Sequence, residues 1–366
     1  MRNRLRAALV LLGLSVTLSA AILLLVPPTP RQDTPAPDCP STQSLSECLS
    51  DWGIRHIDDL PTVVSTLTEY TVSNREFAAS GCHDTWHKVG EAAGERYDPA
   101  EALALWPYSC YGGFMHGLIW TAAPRMGVDA FESSTRAMCA DFKSRPEVVY
   151  LDCWHGVGHG LAEVYAFPES MYRCEDLAAP GEEYEWCTWG AAESLADGFI
   201  KETETANPLT EDLPGLCPGL SQGVKACFRS VIPMMYNTGW SFEKLYDYCA
   251  GLGTDLRPDC AYSAGQILGT LWVVDKIESS GCYVHADLAA HCAAGAGRYV
   301  GRVSEWGALE LEAADPAKLA GICPEFTGPS RSTCEQAYEE IRALELSPEE
   351  DLGVTTSWKK ITRNQE

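Results

Sequence analysis

Four of the eight histidines lie in two short windows that share one pattern, H-x3-H-x3-E. The windows span Cys82–Glu91 and Cys153–Glu163. Residues four apart on a helix are displaced by about 40° around its axis, so each triplet lies along one helix face. Such a face is suited to binding a metal ion. The residues concerned are His83, His87 and Glu91 in the first window and His155, His159 and Glu163 in the second.

These residue types favour metal coordination. Neutral imidazole nitrogens bind zinc, copper and iron, while carboxylates act as further ligands or fix the imidazole tautomer. Together with His116, the two windows supply five imidazole ligands and two carboxylates. This set exceeds the needs of one tetrahedral zinc ion, so it fits one five- or six-coordinate iron or two metals that share carboxylates. We assign proton transfer, the catalytic role, to Glu91 and Glu163. We predict a transition metal (iron, copper or zinc) ligated by His83, His87, His116, His155 and His159.

Other interpretations of the histidines stay open: a structural polar cluster, metal-free acid-base catalysis, or a noncovalent haem between His87 and His159. Nucleotide binding is disfavoured, because the glycine-rich segment 156–160 lacks a phosphate-loop lysine. The motifs H-E-x-x-H and C-x-x-C-H do not occur in the sequence. His56, His285 and His291 lie outside the pattern and are expected to be surface or loop residues.

The N-terminus predicts a membrane anchor. Three arginines within residues 1–6 precede twenty uncharged, mostly apolar residues, 7–26, which are enough to cross a bilayer as a helix. The arginines place residues 1–6 in the cytoplasm and the rest of the chain outside. A cleaved signal peptide ending near Ala21 is the alternative, but the apolar run continues to Val26.

Composition divides the rest of the chain into a proline-rich linker (27–38), a cysteine-rich domain (39–346) and a polar tail (347–366) that is expected to be loosely ordered. The formal charge of -24 excludes nucleic acid and anionic lipid surfaces as partners, because both would repel the chain. We expect a single-pass protein of the cell membrane whose domain is extracytoplasmic. Its oligomeric state is left open.

All sixteen cysteines follow the apolar segment, and their even number in an oxidising compartment predicts eight disulfides. Most fall into pairs separated by nine to thirteen residues. Cys82 and Cys110 lack such a neighbour, so they are expected to bond each other, with metal-ligating thiolates as the alternative. The predicted pairs are Cys39–Cys48, Cys82–Cys110, Cys139–Cys153, Cys174–Cys187, Cys217–Cys227, Cys249–Cys260, Cys282–Cys292 and Cys323–Cys334.

The cysteine spacing also predicts a repeat. The second cysteine of each local pair is expected to open an apolar, glycine-rich helix. With Cys82 and Cys110 included, the helix-opening cysteines recur about every 36 residues from Cys82 to Cys334. The residue three positions after each of these cysteines has a small or medium-sized side chain, which lets neighbouring helices approach closely. We predict an all-α fold of about eight disulfide-stapled helix-loop-helix repeats, preceded by the transmembrane helix. The repeats would form a curved solenoid or an α/α toroid.

This register aligns the polar residues of successive repeats. Three residues lie six positions after the cysteine of their repeat: His116, His159 and Glu193. In the preceding repeat, His87 lies five positions after Cys82. The histidines would fall in the first two turns of their helices, where the positive end of the macrodipole favours neutral imidazole. A site shared by the first three repeats is therefore expected at one rim of the array.

The opening Cys260-Ala-Tyr-Ser-Ala-Gly has a C-x2-small-small form. In this feature the chain resembles the disulfide-stapled Sel1-like and TPR-type repeat proteins, over Cys82 to Leu346. The resemblance implies stacked helix pairs. The leucine, tyrosine and alanine columns usual in those families are absent here.

Two functions from different classes follow from the sequence. The first is a membrane-anchored, extracytoplasmic metal-binding protein, with metal-dependent oxidation or hydrolysis as the candidate activity. The alternative is a non-catalytic helical scaffold whose concave surface, rich in tryptophan and tyrosine, binds a peptide, glycan or small molecule. In the second case the histidines serve recognition or packing.

Overall fold

A computed structural model of the chain describes residues 37–74, 77, 81–106, 110–202, 213–273, 279–310 and 321–344. Contacts divide the chain after Pro37, and every element below belongs to the unit that begins at Asp38. The predicted cytoplasmic end, the membrane segment 7–26, nearly all of the linker and the tail 347–366 lie outside the described residues. Within the described ranges, no helix combines the length and apolarity needed to cross a bilayer.

The described residues form sixteen α-helices and no strand, which confirms the predicted all-α class. Four short 3₁₀ turns accompany them, at Ile57–Asp59, Cys110–Gly112, Cys217–Gly219 and Ser279–Val284. The α-helices are α1 Leu45–Arg55, α2 Leu60–Ser73, α3 Cys82–Gly94, α4 Pro99–Leu105, α5 Gly113–Met126, α6 Val128–Ala140, α7 Glu147–Val164, α8 Glu169–Leu177, α9 Glu182–Glu202, α10 Leu213–Leu216, α11 Val224–Asn237, α12 Phe242–Gly251, α13 Arg257–Val273, α14 Ala289–Glu310, α15 Ile322–Glu325 and α16 Gly328–Leu344.

Several helices begin at polar caps that the sequence supplies. Ser44 and Glu47 form a capping box at the start of α1. The Asp98 side chain accepts from two backbone amides of α4, whose first residue is Pro99. Ser241 caps α12 by accepting from the amide of Lys244. These local hydrogen bonds satisfy amides that the helix itself leaves unpaired.

Eight disulfides form, in the same pairs that the cysteine spacing predicts. No described cysteine is left as a free thiol. So many disulfides indicate an extracellular or secreted environment. Because both sulfurs of Cys82 and Cys110 are used in their disulfide, the thiolate alternative for this pair is wrong.

The cysteines do not open all of the long helices. Cys82 is the first residue of α3, but Cys153 lies two turns inside α7 and Cys187 lies in the second turn of α9. Acidic and apolar residues such as Glu147–Tyr150 continue the helical pattern upstream of the cysteine. The predicted helix starts are therefore too late for these repeats.

The long helices stack in chain order, α3 on α5, then α7, α9, α11, α13, α14 and α16. Their buried side chains form two clusters, one from Leu49 to Cys187 and one that includes Met171 and continues to Cys334. Trp189 packs against both clusters. This arrangement is that of a helical repeat, in which each unit contacts its neighbours in sequence.

Glycines set the spacing between several of these helices. A Cβ atom at Gly117 would overlap the carbonyl oxygen of His87, and one at Gly190 would overlap that of His155. The same close approach occurs at Gly113 and at Gly295, both three residues after a repeat cysteine. The small column predicted from the sequence thus brings backbones together at these positions. Glycine weakens a helix by up to about 1 kcal/mol, and the close packing offsets that cost.

We expect Gly117→Ala to lower the free energy of unfolding by about 1–3 kcal/mol, because the new methyl group forces α3 and α5 apart. Gly251→Ala is the matched control, since nothing lies within 4 Å of a Cβ atom there. In a helix this control should be neutral or stabilising by up to about 1 kcal/mol. Chemical denaturation with the disulfides intact measures both, and equal stabilities would contradict the packing role.

Candidate metal centre

Four successive long helices supply the side chains of the candidate site. His83 and His87 lie on α3, His116 on α5, and His155 and His159 on α7. The next helix, α9, adds Glu193 and Ser194. The glycine contacts place these residues at one level, because Gly113 and Gly117 flank His116 and rest against the carbonyls of His83 and His87. Gly190 does the same for α9 against His155.

His116, His155 and His159 form the compact part of the site. Each offers one ligand atom, and these atoms all lie within 4.8 Å of one another. The three side chains are buried, with residue exposures of 3–4%. The Nε2 atoms of His155 and His159 are 3.0 Å apart. Two nitrogens bound to one ion at 2.0–2.1 Å are separated by about 3.0–3.4 Å, so this pair already has the spacing of adjacent ligands.

Ring positions agree with this geometry. The ring centroids lie 4.8 Å apart for His116 and His155, 5.3 Å for His116 and His159, and 4.7 Å for His155 and His159. A ring centroid lies about 3.2 Å from an ion bound through Nε2, so tetrahedral ligands have centroids about 5.2 Å apart. The three rings therefore have room for one shared ion.

Burial disfavours the charged form of two of these imidazoles, His116 and His159. Loss of solvation, followed by the proximity of His155, holds the pKa of His116 and that of His159 well below the ordinary value of 6.5. The helix macrodipole contributes little at His155 and His159, because both lie more than two turns inside α7. The neutral state of His159 was predicted from the sequence, but its cause is burial.

Two ring nitrogens of the compact group lack a hydrogen-bond partner among the described residues. They are Nδ1 of His155 and Nε2 of His116. Nε2 of His116 lies 3.2 Å from Oδ1 of Asp152 without hydrogen-bond geometry. Asp152 is buried and fits there because the opposite residue is Gly112, where a Cβ atom would overlap the carboxylate. Gly112 also adopts φ 70°, which favours glycine.

The carboxylate that contacts the compact histidine group belongs to Glu193 of α9. Oε2 of Glu193 lies 3.1 Å from Nε2 of His155. Burial pushes the pKa of Glu193 upward, but the hydrogen bond and charge of His155 outweigh burial and hold the pKa below its ordinary value. Part of this side chain, 41%, remains accessible. The site is therefore reachable from solvent beside an ionised carboxylate.

The α3 histidines lie next to the compact group. Nδ1 of His83 is 3.0 Å from the backbone oxygen of Cys110, and Nδ1 of His87 is 2.8 Å from Oε1 of Glu91. The ring of His83 lies 5.6 Å from that of His116, and the ring of His87 lies 6.4 Å from that of His159. Burial, followed by the proximity of His87, lowers the pKa of His83.

Tryptophans border the histidines on two sides. The Trp120 ring stacks on His159 with centroids 5.6 Å apart and an interplanar angle of 4°, and its edge meets His87 at 5.2 Å. Trp189 lies 4.4 Å from His155, and the guanidinium of Arg229 covers Trp189 at 3.5 Å. These rings fix the imidazole orientations and reduce the local polarity.

The structure brings all five predicted histidines into one cluster, with the three of α5 and α7 closest together. Glu91 contacts His87, whereas Glu163 is an exposed residue one turn beyond His159. His285, excluded from the pattern, instead pairs with Asp247 at 2.7 Å.

Sequence reasoning did not assign Asp152, Glu193 or Ser194 to the site. Nδ1 of His159 lies 2.7 Å from Oγ of Ser194, a contact that fixes the ring. Glu193 had a usable signal, because it occupies the column of His116 and His159. Asp152 and Ser194 had none in a single sequence.

Comparison of the chain with protein-family models, curated proteins and solved structures gives no match. The disulfide-stapled helical architecture therefore stands on the structure itself. Membership of the Sel1-like or TPR-type families stays a prediction. The buried three-histidine group can hold a metal ion. A function for this group is therefore proposed from its geometry.

We expect the metal-free protein to lose stability as the pH falls below about 6.5. The folded-state pKa values of His116 and His159 are lowered, so the unfolded chain takes up protons there more readily. The contribution of these groups is complete above pH 6.5 and declines below it, by about 1.4 kcal/mol per pH unit for each histidine. Chemical denaturation of chelator-treated protein between pH 7.5 and 5 measures the slope.

The double variant His116→Gln/His159→Gln should show a shallower pH dependence than the wild type. His285→Gln is the control, because this histidine lies outside the cluster and pairs with Asp247. An unchanged slope in the double variant would contradict the neutral, buried state of the two imidazoles.

Proposed function

We propose that this protein is an extracytoplasmic metal-binding protein whose transition-metal ion is ligated by His116, His155 and His159. The observation that carries the proposal is the convergence of three buried ligand atoms within 4.8 Å of one another. We further propose that residues 7–26 anchor the protein in the cell membrane, with the disulfide-rich unit outside the cytoplasm.

A purely structural histidine cluster fits the contacts less well. In a packing role, buried ring nitrogens are expected to find hydrogen-bond partners, and each nitrogen left without one costs about 1–3 kcal/mol. Here Nε2 of His116 and Nδ1 of His155 lack a hydrogen-bond partner among the described residues. A bound cation would supply a partner for all three rings and offset their burial.

The donor set limits the metal. Nitrogen ligands suit zinc, copper, iron and nickel, whereas thiolate ligands are absent from the described residues because their cysteines are disulfide-bonded. Three protein ligands with a fourth position open are typical of catalytic zinc sites. A bound metal would supply Lewis acidity or redox chemistry, so hydrolysis and oxidation are the reaction classes that we propose. Glu193, ionised and partly accessible, is placed to accept a proton beside His155.

The competing proposal is a non-catalytic scaffold that uses the same face to bind a peptide or glycan. The observation in its favour is the aromatic border formed by Trp120 and Trp189, with Arg229 stacked on Trp189. Aromatic and arginine side chains dominate many binding hot spots. Metal uptake by the protein distinguishes the two functions.

We expect the purified protein to bind at least one Zn²⁺ or Co²⁺ ion per chain, measured by elemental analysis and calorimetric titration. His155→Gln/His159→Gln removes two of the three ligands of the compact group and should weaken this ion by more than about 100-fold. His285→Gln, outside the cluster, should bind metal like the wild type. A wild-type protein that takes up no metal would favour the scaffold.

Glu193→Gln should weaken metal binding by about 10–100-fold, because the variant loses the ionised carboxylate that contacts His155. The matched control is Glu163→Gln on α7, where the side chain is exposed. Titration with Co²⁺ followed by visible absorption gives both affinities. A larger loss in the Glu163 variant would return the carboxylate role to the residue predicted from the sequence.

A further inference from the structure

The α3 histidines repeat the arrangement of the α7 histidines. His83 and His87 are four residues apart on one helix, as His155 and His159 are, and the ring of His116 lies between the two pairs. We infer that His83 and His87 bind a second metal ion, which makes the site a two-metal centre. This inference rests on the proposed metal site at the compact group and extends it.

The hydrogen bonds of the α3 pair leave both Nε2 atoms as lone-pair donors. A backbone carbonyl only accepts, so Nδ1 of His83 carries the proton in its contact with Cys110. A carboxylate likewise accepts from Nδ1 of His87. Each of these hydrogen bonds uses Nδ1, which leaves Nε2 of both rings as the atom that can bind a metal ion. Metal-binding histidines have this second-shell arrangement.

One ion does not serve both pairs. With ring centroids about 3.2 Å from a bound ion, ligands at tetrahedral angles have centroids about 5.2 Å apart and opposite ligands about 6.4 Å. His87 lies 6.4 Å from His159 and 6.5 Å from His116, so it would have to stand opposite both at once. The compact group also excludes both α3 rings. A second ion is the arrangement in which all five imidazoles are used.

The second ion would have its own ligands and room for more. The rings of His83 and His87 are 6.0 Å apart, against 4.7 Å for the equivalent pair on α7. We infer that an ion bound by both rings would have them at a wide angle, with positions left for water or a carboxylate. Glu91, with 42% of its side chain accessible, and Glu193 lie beside the cluster. Carboxylates that share two ions are typical of hydrolytic two-metal centres.

The test is a Co²⁺ and Zn²⁺ titration of the full chain after chelator treatment, with wild type, His83→Gln/His87→Gln and His155→Gln/His159→Gln compared. We expect two ions per wild-type chain and one per chain in the His83/His87 variant, with the affinity of the remaining ion changed less than about tenfold. The second equivalent should weaken by more than about 100-fold in that variant. His56→Gln is the control, because His56 bonds the Trp52 carbonyl away from the cluster.

A Cu²⁺-loaded sample gives an independent readout. Two Cu²⁺ ions within about 6 Å broaden each other's electron paramagnetic resonance signal, and this broadening should disappear in the His83/His87 variant. Single variants His83→Gln and His87→Gln, with near-ultraviolet circular dichroism to check folding, replace the double variant if it misfolds.

The outcomes separate the two proposals. One ion per chain in both the wild type and the His83/His87 variant overturns the second site and leaves the proposed function standing. Two ions that persist in the His83/His87 variant also overturn it. No ion bound to the wild type overturns the proposed function and, with it, the two-metal centre.

Discussion

Several pairs of neighbouring long helices meet through glycine, and the positions of the histidines depend on that contact at α3–α5 and at α7–α9. Where Gly113 and Gly117 rest on the carbonyls of His83 and His87, no side chain separates α3 from α5. His116, between the two glycines, is then held among imidazoles from the helices on both sides. Gly190 brings α9 equally close to α7, so Glu193 reaches His155. A larger residue at these positions would move whole helices, because the atoms that it meets belong to the backbone.

The close packing has an electrostatic consequence. Rings this near each other and this deeply buried are poor sites for protons, since each charged imidazole would lose solvation and repel its neighbours. The fold itself therefore favours the neutral, ligating form of His116 and His159. The same closeness favours the ionised form of Glu193, because burial of its carboxylate is outweighed by the hydrogen bond and charge of His155.

The disulfides hold the scaffold together, and the histidines supply the candidate metal ligands. Seven of the eight cysteine pairs join a short element to a long helix, and all the described thiols are consumed by the scaffold. Nitrogen and oxygen are then the donors left for a metal, which suits an oxidising environment where free thiolates would not persist. The later repeats keep the disulfides and the glycine contact, as at Gly265 and Gly295, but not the histidines. The scaffold and the site are thus separable features of the repeat.

Much of the architecture was accessible from sequence because it is local. Cysteines about ten residues apart have few alternative partners, and an apolar pattern with helical period has one fold class, so the all-α fold and the disulfide pairs follow from spacing. Helix starts were less accessible: α7 begins well before Cys153, since Glu147–Tyr150 already suit a helix. The i, i+4 histidine pairs were equally visible, because helix geometry alone places them on one face.

Only the tertiary structure decided which of these residues meet. Asp152 reaches His116, and Ser194 reaches His159, across helix contacts that a single sequence does not encode as a motif. Glu163 continues the sequence pattern but is an exposed residue, whereas Glu193 of the next long helix contacts His155. The sequence determined the kinds of ligand and their helices. The packing of one helix on the next, at the points where a glycine contacts a carbonyl oxygen, decided which of these ligands lie close together.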